Sequence, residues 1–182
     1  MRAFLVIDML NDFLRKGGAL YCGDPSRDII PFVREKIEEF HKSGDLVVFI
    51  CDAHDPDDAE FTMFRPHSVN GTDGARIIDE LPVSRKDIMI KKKTLSSFLR
   101  TDLDKILEEK GVNEVHVVGV CTSICIMDAV GDLRNRHFPV YVYLKGVADF
   151  DQEAHEFALK RMKRVYGATI IKGDRKGDSP ST

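Results

Sequence analysis

The sequence alternates short apolar runs with amphipathic stretches, and this alternation constrains the fold more than any other feature. Residues 2–7, 46–51 and 115–120 are continuous apolar runs of strand length. Between such runs, residues 25–42 and 101–110 carry apolar side chains at helical spacing. Further strands are predicted at 87–90, 140–144 and 169–171, and further helices at 125–136 and 151–166. Strands that are apolar on both faces need helices on both sides. We therefore predict a three-layer α/β/α fold with a doubly wound, mainly parallel, six-stranded sheet.

Charge and composition disfavour several classes of partner. The 182 residues carry a formal net charge of −3, so nothing in the charge favours nucleic acid or an anionic membrane. No apolar run approaches the roughly 18 residues that a membrane span needs. Four cysteines without CxxC spacing, and no export signal, indicate reduced thiols and a cytoplasmic location. The length predicts a single domain at 1–172, followed by a mobile polar tail at 173–182.

Chemically useful side chains follow several of the predicted strands. Asp8 follows the first strand, Asp52 the second, three lysines at 91–93 the third, and the segment from Cys121 to Cys125 the fourth. The carboxyl ends of parallel strands meet at one edge of the sheet, where ligands bind in such folds. Taken singly, each residue has an ordinary interpretation, because aspartates form turns, lysines cover surfaces and cysteines pack in cores. Together they predict a site with a carboxylate, a lysine and a thiol.

Cys125 has the most informative position, because it lies where a predicted strand ends and a helix begins. The positive end of a helix dipole lowers the pKa of a thiol and favours the reactive thiolate. Backbone N–H groups in the same turn can stabilise an oxyanion. We therefore expect Cys125 to be a nucleophile with a lowered pKa.

Three segments resemble motifs of the isochorismatase-like cysteine hydrolases. VIDMLNDF at residues 6–13 resembles their VIDxQNDF, KKTLSSF at 92–98 their KxxYSAF, and GVCTSICI at 119–126 their GVATDxCV. The resemblance implies the isochorismatase-like hydrolase fold and a cis peptide bond between Val120 and Cys121. It also implies a catalytic triad of Asp8, Lys92 and Cys125, with an oxyanion hole formed by the backbone N–H groups of Cys121 and Cys125.

Two neighbouring lysines, Lys91 and Lys93, are rivals of Lys92 for the cationic role. The spacing to Ser96 and Phe98 favours Lys92. Alternation of side chains along a strand would point both neighbours away from the site.

The chain departs from the family motifs at four positions. Leu10, Leu95, Cys121 and Ser123 stand where the family usually has glutamine, an aromatic residue, alanine and aspartate. No departure removes a triad or metal candidate, but together they alter the shape of the pocket. We interpret Cys121 as a packing residue, and Cys22 and Cys51 as buried or incidental thiols. The histidines interpreted as structural or surface residues are His41, His116, His137 and His155.

Residues 52–72 form a long irregular stretch, and such loops in compact domains are often functional. Its histidines and carboxylates suit a divalent ion, although their spacing matches no common zinc motif. The DxH at 52–54 and PHSVNGTDG at 66–74 resemble the metal loop of the nicotinamidase family. The resemblance implies one divalent ion, with zinc expected and iron or manganese as alternatives, bound by Asp52, His54, Glu60 and His67. Many relatives have histidine in place of Glu60, and Asp57 and Asp58 stay open as alternatives to it.

The same resemblance implies a substrate and a reaction. In the nicotinamidase family the metal binds the pyridine nitrogen, and Phe13 and Phe64 match the aromatic positions on either side of the ring. Without the resemblance, Phe64 is equally well interpreted as a packing residue. The implied activity is a metal-dependent nicotinamidase that hydrolyses nicotinamide to nicotinate and ammonia through a Cys125 thioester, in NAD salvage. The expected partner is a small-molecule amide, and members of the family are often homo-oligomers.

Other functions are weighed against this one. The alternative is another amidohydrolase of the superfamily, acting on a ureido or N-carbamoyl substrate, although those relatives generally lack the DxH and PHxxxGT loop. Isochorismatases generally lack the cysteine. A phospho-acceptor receiver domain has its lysine after the fifth strand rather than the third. A dinucleotide-binding domain has GxGxxG after the first strand, and this chain does not.

Overall fold

The computed structural model describes residues 1–173 of the chain. Within them, six strands form one sheet in the order β3-β2-β1-β4-β5-β6, and every neighbouring pair is parallel. The strands are β1 (Arg2–Ile7), β2 (Leu46–Asp52), β3 (Ile88–Lys92), β4 (Glu114–Val120), β5 (Val140–Ala148) and β6 (Thr169–Ile171). The strand order reverses between β1 and β4, so the sheet is doubly wound.

Helices cover both faces of this sheet. In the described part of the chain the α-helices are α1 (Asn11–Leu14), α2 (Pro25–Asp28), α3 (Ile30–Ser43), α4 (Leu103–Glu109), α5 (Met127–Asn135) and α6 (Gln152–Arg164). The buried side chains of α1 and α3 belong to one apolar core, and those of α4, α5 and α6 belong to a second. The predicted three-layer, doubly wound α/β/α fold with six strands is confirmed.

The first strand shows how one run of apolar residues serves both cores. Leu5 and Ile7 pack in the core with α4 to α6, whereas Phe4 and Val6 pack in the core with α3. All four side chains are buried, because successive residues of a strand point to opposite faces. A strand covered on both sides therefore needs a continuous apolar run, which is the pattern that predicted the fold.

The structure differs from the predicted elements where local chemistry intervenes. The helix predicted at 25–42 is divided into α2 and α3, because Pro25 and Pro31 each lie in the first turn of a helix. The strand predicted at 140–144 continues to Ala148, because a shift of register opposite β4 lets pairing resume at Val147. The helix predicted at 125–136 is a π-helical turn (Thr122–Ile126) followed by α5. The four residues of α1 are too few to show helical periodicity, and no element is predicted there.

Two further predictions concern the ends and the environment of the chain. Of the tail predicted at 173–182, residues 174–182 lie outside the described residues. Across residues 1–173, no helix has the length and apolar character needed to cross a membrane.

Gly119 allows β4 to approach β1 closely, and this predicts a large loss of stability on substitution. A Cβ atom at Gly119 would lie 1.9 Å from the carbonyl oxygen of Ile7, and Gly119 has a φ of +125°. Gly44, at the end of α3, also has a positive φ, of +72°, but a Cβ there would meet nothing within 4 Å. We expect Gly119→Ala to lower the free energy of unfolding by at least about 3 kcal/mol, and Gly44→Ala by only about 1 kcal/mol. Urea denaturation of both variants measures the difference, and equal losses would contradict this account.

Candidate active site

Four neighbouring strands end at one cavity. The residues that follow or end β3, β2, β1 and β4 include Lys92, Asp52, Asp8 and Cys121, and these strands are adjacent in the sheet. A cavity of about 400 Å³ opens at this edge and is lined by Asp8, Asp52, Cys121 and Cys125, among others. It lies where the strand order reverses, which is the usual ligand position in doubly wound sheets.

Asp8 turns sharply into the site directly after β1. Its φ of +53° is unusual for a residue with a side chain, although aspartate tolerates this region better than most. The turn is held because the Asp8 N–H donates to the Ile50 carbonyl at 2.8 Å. Asp8 Oδ1 in turn accepts from the backbone N–H of Asp52 at 2.9 Å. The backbone of β2 thus fixes one oxygen of Asp8 and leaves Oδ2 facing the other groups.

Lys92 is buried at the centre of the cluster. Its Nζ lies 2.9 Å from Asp8 Oδ2, donates to Asp52 Oδ1 at 2.5 Å and donates to Cys125 Sγ at 3.5 Å. Burial alone would lower the pKa of Lys92, but the negative charges of Asp8 and Asp52 outweigh burial and hold the pKa well above its usual value. The structure therefore brings Asp8 and Cys125 together around the charged ammonium group of Lys92.

The rival lysines point elsewhere, as strand alternation indicates. Lys91 is exposed and donates to Asn70 Oδ1 at 2.8 Å, and Lys93 is exposed and pairs with Asp55. Only Lys92 of the three is buried in the cluster.

The expected lowering of the Cys125 pKa is wrong. Burial, with the nearby charges of Asp8 and Asp52, raises the pKa of the thiol well above its usual value, although Lys92 opposes the shift. Burial and the charge of Asp52 also raise the pKa of Asp8 to about 6, against the opposing effect of Lys92. At neutral pH the resting pair is therefore a thiol beside a carboxylate, so attack by sulfur needs a base, and Asp8 is the carboxylate in reach.

The turn that carries Cys125 begins with an unusual backbone. The peptide bond between Val120 and Cys121 is cis, at the place that the family resemblance implies. The carbonyl of Cys121 accepts from the N–H groups of Ile124 and Ile126, at 3.1 and 3.2 Å. Cys121 itself lines the cavity, so this turn begins at the cavity wall.

Two side chains that were not predicted hold this turn in place. Asp149, which is buried, accepts from the N–H of Ser123 at 2.7 Å, and His155 Nδ1 lies 2.8 Å from Thr122 Oγ1. Asp149 directly follows β5, so it obeys the same strand-end rule as Asp8. The strand predicted at 140–144 stops short of Asp149 and hides this signal, and no sequence signal links His155 to the turn.

A second group of side chains beside the cluster has the geometry of a metal site. Asp52, His54 and His67 offer donor atoms within 4.8 Å of one another. His54 Nε2 lies 3.7 Å from Asp52 Oδ2, and Glu60 Oε1 lies 3.8 Å from Nε2 of each histidine. Donors around a tetrahedral zinc ion are about 3.4 Å apart, so these spacings need only a small contraction. His54 Nε2 is buried without a hydrogen-bond partner, and such a group is a natural metal ligand.

The ring nitrogens that face away from this group each lie near an oxygen atom, although His54 Nδ1, like Nε2, makes no hydrogen bond within the described residues. His67 Nδ1 lies 2.9 Å from the Arg65 carbonyl oxygen, which leaves Nε2 as the donor atom toward the site. His54 Nδ1 faces Asp58 Oδ2 at 3.2 Å, and Asp58 Oδ1 accepts from the N–H of Glu60. Asp58 thus lies behind His54. Of the acids that the sequence leaves open, Glu60 fits the place of the fourth donor.

Asp52 joins the two groups through its two oxygens. Oδ1 accepts from Lys92, and Oδ2 faces His54 and His67. Burial alone would raise the pKa of Asp52, but Lys92 and the two histidines hold it well below its usual value. Asp52 is therefore ionised, and its two oxygens can serve Lys92 and the metal donors at the same time.

The two aromatic candidates lie near the metal group. Phe13 and Phe64 line the cavity, with ring centroids 5.5 and 6.2 Å from that of His67. Both meet His67 edge-to-face, so the structure places them beside the same histidine. Leu95 and Ile124 contribute further apolar lining.

Comparison with known proteins identifies the family. A sequence model of the isochorismatase domain matches residues 2–174. The chain belongs to the isochorismatase family. Its match to solved structures of this family extends over nearly the whole chain, and one of them contains zinc.

Three of these structures, two pyrazinamidases and one N-carbamoylsarcosine amidase, are similar to this chain to nearly the same degree. The nicotinamidase/pyrazinamidase PncA from Bacillus subtilis is 35% identical with a TM-score of 0.90, covering 94% of this chain and 99% of that one. The pyrazinamidase of Pyrococcus horikoshii in complex with zinc is 32% identical with a TM-score of 0.88, covering 94% and 99%. The N-carbamoylsarcosine amidase of Thermoplasma acidophilum is 32% identical with a TM-score of 0.88, covering 97% and 99%.

The geometry of the metal group predicts one divalent ion per chain. We expect Glu60→Ala to weaken zinc binding by at least about tenfold, because it removes one of four converging donors. Asp57, an exposed acid of the same loop, provides the matched control, and Asp57→Ala should keep its affinity. Competition with a chromophoric chelator measures both. A larger loss in Asp57→Ala than in Glu60→Ala would show that the fourth donor is wrongly assigned.

Proposed function

We propose that the protein is a metal-dependent nicotinamidase that hydrolyses nicotinamide to nicotinate and ammonia, a reaction of NAD salvage. One observation carries the proposal: a buried lysine joins Asp8 and Cys125, while Asp52 links the same lysine to a set of metal donors. A thiol beside a base supports covalent attack on an amide. A metal ion bound by the nearby donor side chains would recognise a ring nitrogen. Similarity to nicotinamidases and to a zinc-containing pyrazinamidase is in line with both.

The cavity fits a small aromatic amide. Its volume of about 400 Å³ is at the small end of ligand pockets. A divalent ion held by Asp52, His54, Glu60 and His67 would supply a Lewis-acid contact to the pyridine nitrogen. Phe13 and Phe64 would contact the ring, which leaves the amide to Cys125.

The chain's own groups can perform the acyl transfer. Asp8 accepts the proton of the Cys125 thiol as the sulfur forms a bond to the amide carbon. The backbone N–H groups of Cys121 and Cys125 donate to the oxyanion, and Lys92 stabilises negative charge beside them. Asp8 then protonates the departing nitrogen, the C–N bond breaks, and ammonia leaves a thioester on Cys125.

The second half of the reaction releases the acid. Asp8, ionised again, accepts a proton from water as the water oxygen attacks the thioester carbon. The C–S bond breaks, the proton of Asp8 returns to Cys125, and nicotinic acid leaves and loses its proton to the solvent as nicotinate. Every proton transfer uses one carboxylate, whose pKa of about 6 suits a group that both accepts and returns protons near neutral pH.

A second candidate is an amidohydrolase for N-carbamoyl or ureido compounds. The similarity to N-carbamoylsarcosine amidase, as high as that to the pyrazinamidase, favours it. The same thiol and base would serve this reaction. The metal donors of the loop between β2 and β3 favour nicotinamide, because a carbamoyl group offers no ring nitrogen for the ion.

The role of Cys125 predicts the outcome of one substitution. Cys125→Ala should lower ammonia release from nicotinamide at least about a thousandfold, because no other group replaces the nucleophile. Cys51→Ala is the matched control, since it removes another buried thiol, on β2, that is not part of the proposed site. A coupled ammonia assay measures both, and activity retained in Cys125→Ala would end the proposal.

The choice of substrate is tested by a panel. We expect kcat/KM for nicotinamide to exceed that for N-carbamoylsarcosine and ureidoacrylate by at least about a hundredfold, because only nicotinamide offers the metal a basic ring nitrogen. Removal of the metal by a chelator, and restoration with zinc, should change activity on nicotinamide reversibly. A preference for the carbamoyl compounds that survives chelation would establish the second candidate instead.

A further inference from the structure

Two thiols that the sequence keeps far apart meet at the wall of the active-site cavity. Cys22 Sγ and Cys121 Sγ are 3.2 Å apart, although 99 positions separate them in the chain. Both residues are buried, and both line the cavity that also contains Cys125. A disulfide needs sulfurs about 2.05 Å apart, so closure requires an approach of roughly a further 1 Å.

The two thiols differ in how firmly they are held. Cys121 directly follows β4 and is anchored by the sheet, and its carbonyl accepts two hydrogen bonds from the following turn. Cys22 lies in the irregular segment between α1 and α2, where its N–H donates to the Phe13 carbonyl at 2.9 Å. A small movement of this segment, rather than of the sheet, would bring the sulfurs together.

We propose that Cys22 and Cys121 are a modification site for a peroxide, which closes them into a reversible disulfide. One sulfur attacks a peroxide oxygen, the O–O bond breaks, and a sulfenic acid and water form. The other sulfur then attacks the sulfenic sulfur, an S–S bond forms, and a second water leaves. The two thiols lose two electrons and two protons, and hydrogen peroxide is reduced to two molecules of water.

The rate of this reaction is limited by the environment of the thiols. The contact with Cys22, together with burial, raises the pKa of Cys121, and the thiolate is the reacting form. We therefore expect closure over minutes to hours rather than seconds. The cavity supplies the route, since both thiols line it and hydrogen peroxide is far smaller than an amide substrate.

Closure would act on the proposed reaction through Cys121, and this consequence rests on the proposed function. The backbone N–H of Cys121 is one of the two donors proposed for the oxyanion. Most of the approach comes from the segment of Cys22, but the new bond also pulls on the Cys121 side chain and shifts this donor by a few tenths of an ångström. Donor positions matter at the scale of tenths of an ångström, so the oxidised form should be much less active.

The modification itself is tested without any activity measurement. Full-length Cys125→Ala, which lacks the competing thiol, is treated with hydrogen peroxide, denatured, alkylated and digested without reductant. We expect a peptide that links Cys22 to Cys121 to account for most of the Cys22 recovered, while Cys51 stays alkylated. The link should disappear after dithiothreitol. Recovery of Cys22 and Cys121 as two alkylated or separately oxidised peptides would overturn the proposal.

Two further variants guard against an accidental link. In Cys121→Ala, which restores the usual residue of the family, Cys22 should stay alkylatable. The same holds for Cys121 in Cys22→Ala. A linked peptide between Cys22 and Cys51 in the first variant would show indiscriminate cross-linking and would contradict a specific pair.

The effect of the disulfide on activity is tested separately. Each protein is compared with its own reduced activity after exposure to peroxide for the time at which peptide mapping finds the link, before and after dithiothreitol. We expect the unmodified protein to recover activity in proportion to the disulfide removed, and Cys22→Ala to lose this recoverable part. A disulfide that forms without any recoverable loss would overturn its effect on the site. If nicotinamide is not a substrate at all, peptide mapping still decides whether the pair closes.

Discussion

The buried ammonium of Lys92 is the interaction on which the site depends. Lys92 ends β3 and lies against Asp8, Asp52 and Cys125, which follow or end three other strands, and none of these groups is exposed. Removal of one partner from a buried charge pair typically costs about 3–5 kcal/mol, so these groups hold each other in place. The positions of β3, β2, β1 and β4 are therefore fixed by chemistry as well as by packing.

Carboxylates outnumber the buried lysine in this region. Asp8, Asp52 and Glu60 lie around one buried ammonium and two histidines, and these acids favour positive charge at the histidines. His54 shows this effect: burial alone would lower its pKa, but Asp52, Asp58 and Glu60 raise it to about 8.

The positions of the site residues could be predicted from the sequence because most of them follow or end strands. The pKa of Cys125 could not, because it depends on burial. Asp8, Asp52 and Lys92 follow or end apolar runs that are visible in the sequence, so their convergence followed from the parallel sheet. The predicted lowering of the Cys125 pKa was wrong because the effect of a helix dipole is small. The dipole contributes about 0.3–1 kcal/mol, which is less than about one pKa unit, whereas burial of a charged group shifts its pKa by up to about 3–5 units. Burial of a particular thiol cannot be read from its neighbours in sequence. The contact of Cys22 with Cys121 was equally hidden, because an irregular segment carries no periodicity that would place it.

The division between sheet and loops separates what is general in this site from what is specific. Asp8, Lys92 and the turn of Cys125 are positioned by strands, and this part suits attack on many amides. Glu60, Phe64 and His67 come from the loop between β2 and β3, so one of the two proposed ring contacts and most of the proposed metal donors depend on this loop. Relatives with similar overall structure but different activities are expected on this arrangement, because the same sheet edge can support different loops. Substitutions in that loop, rather than in the triad, are therefore the ones that distinguish a nicotinamidase from an N-carbamoyl amidase.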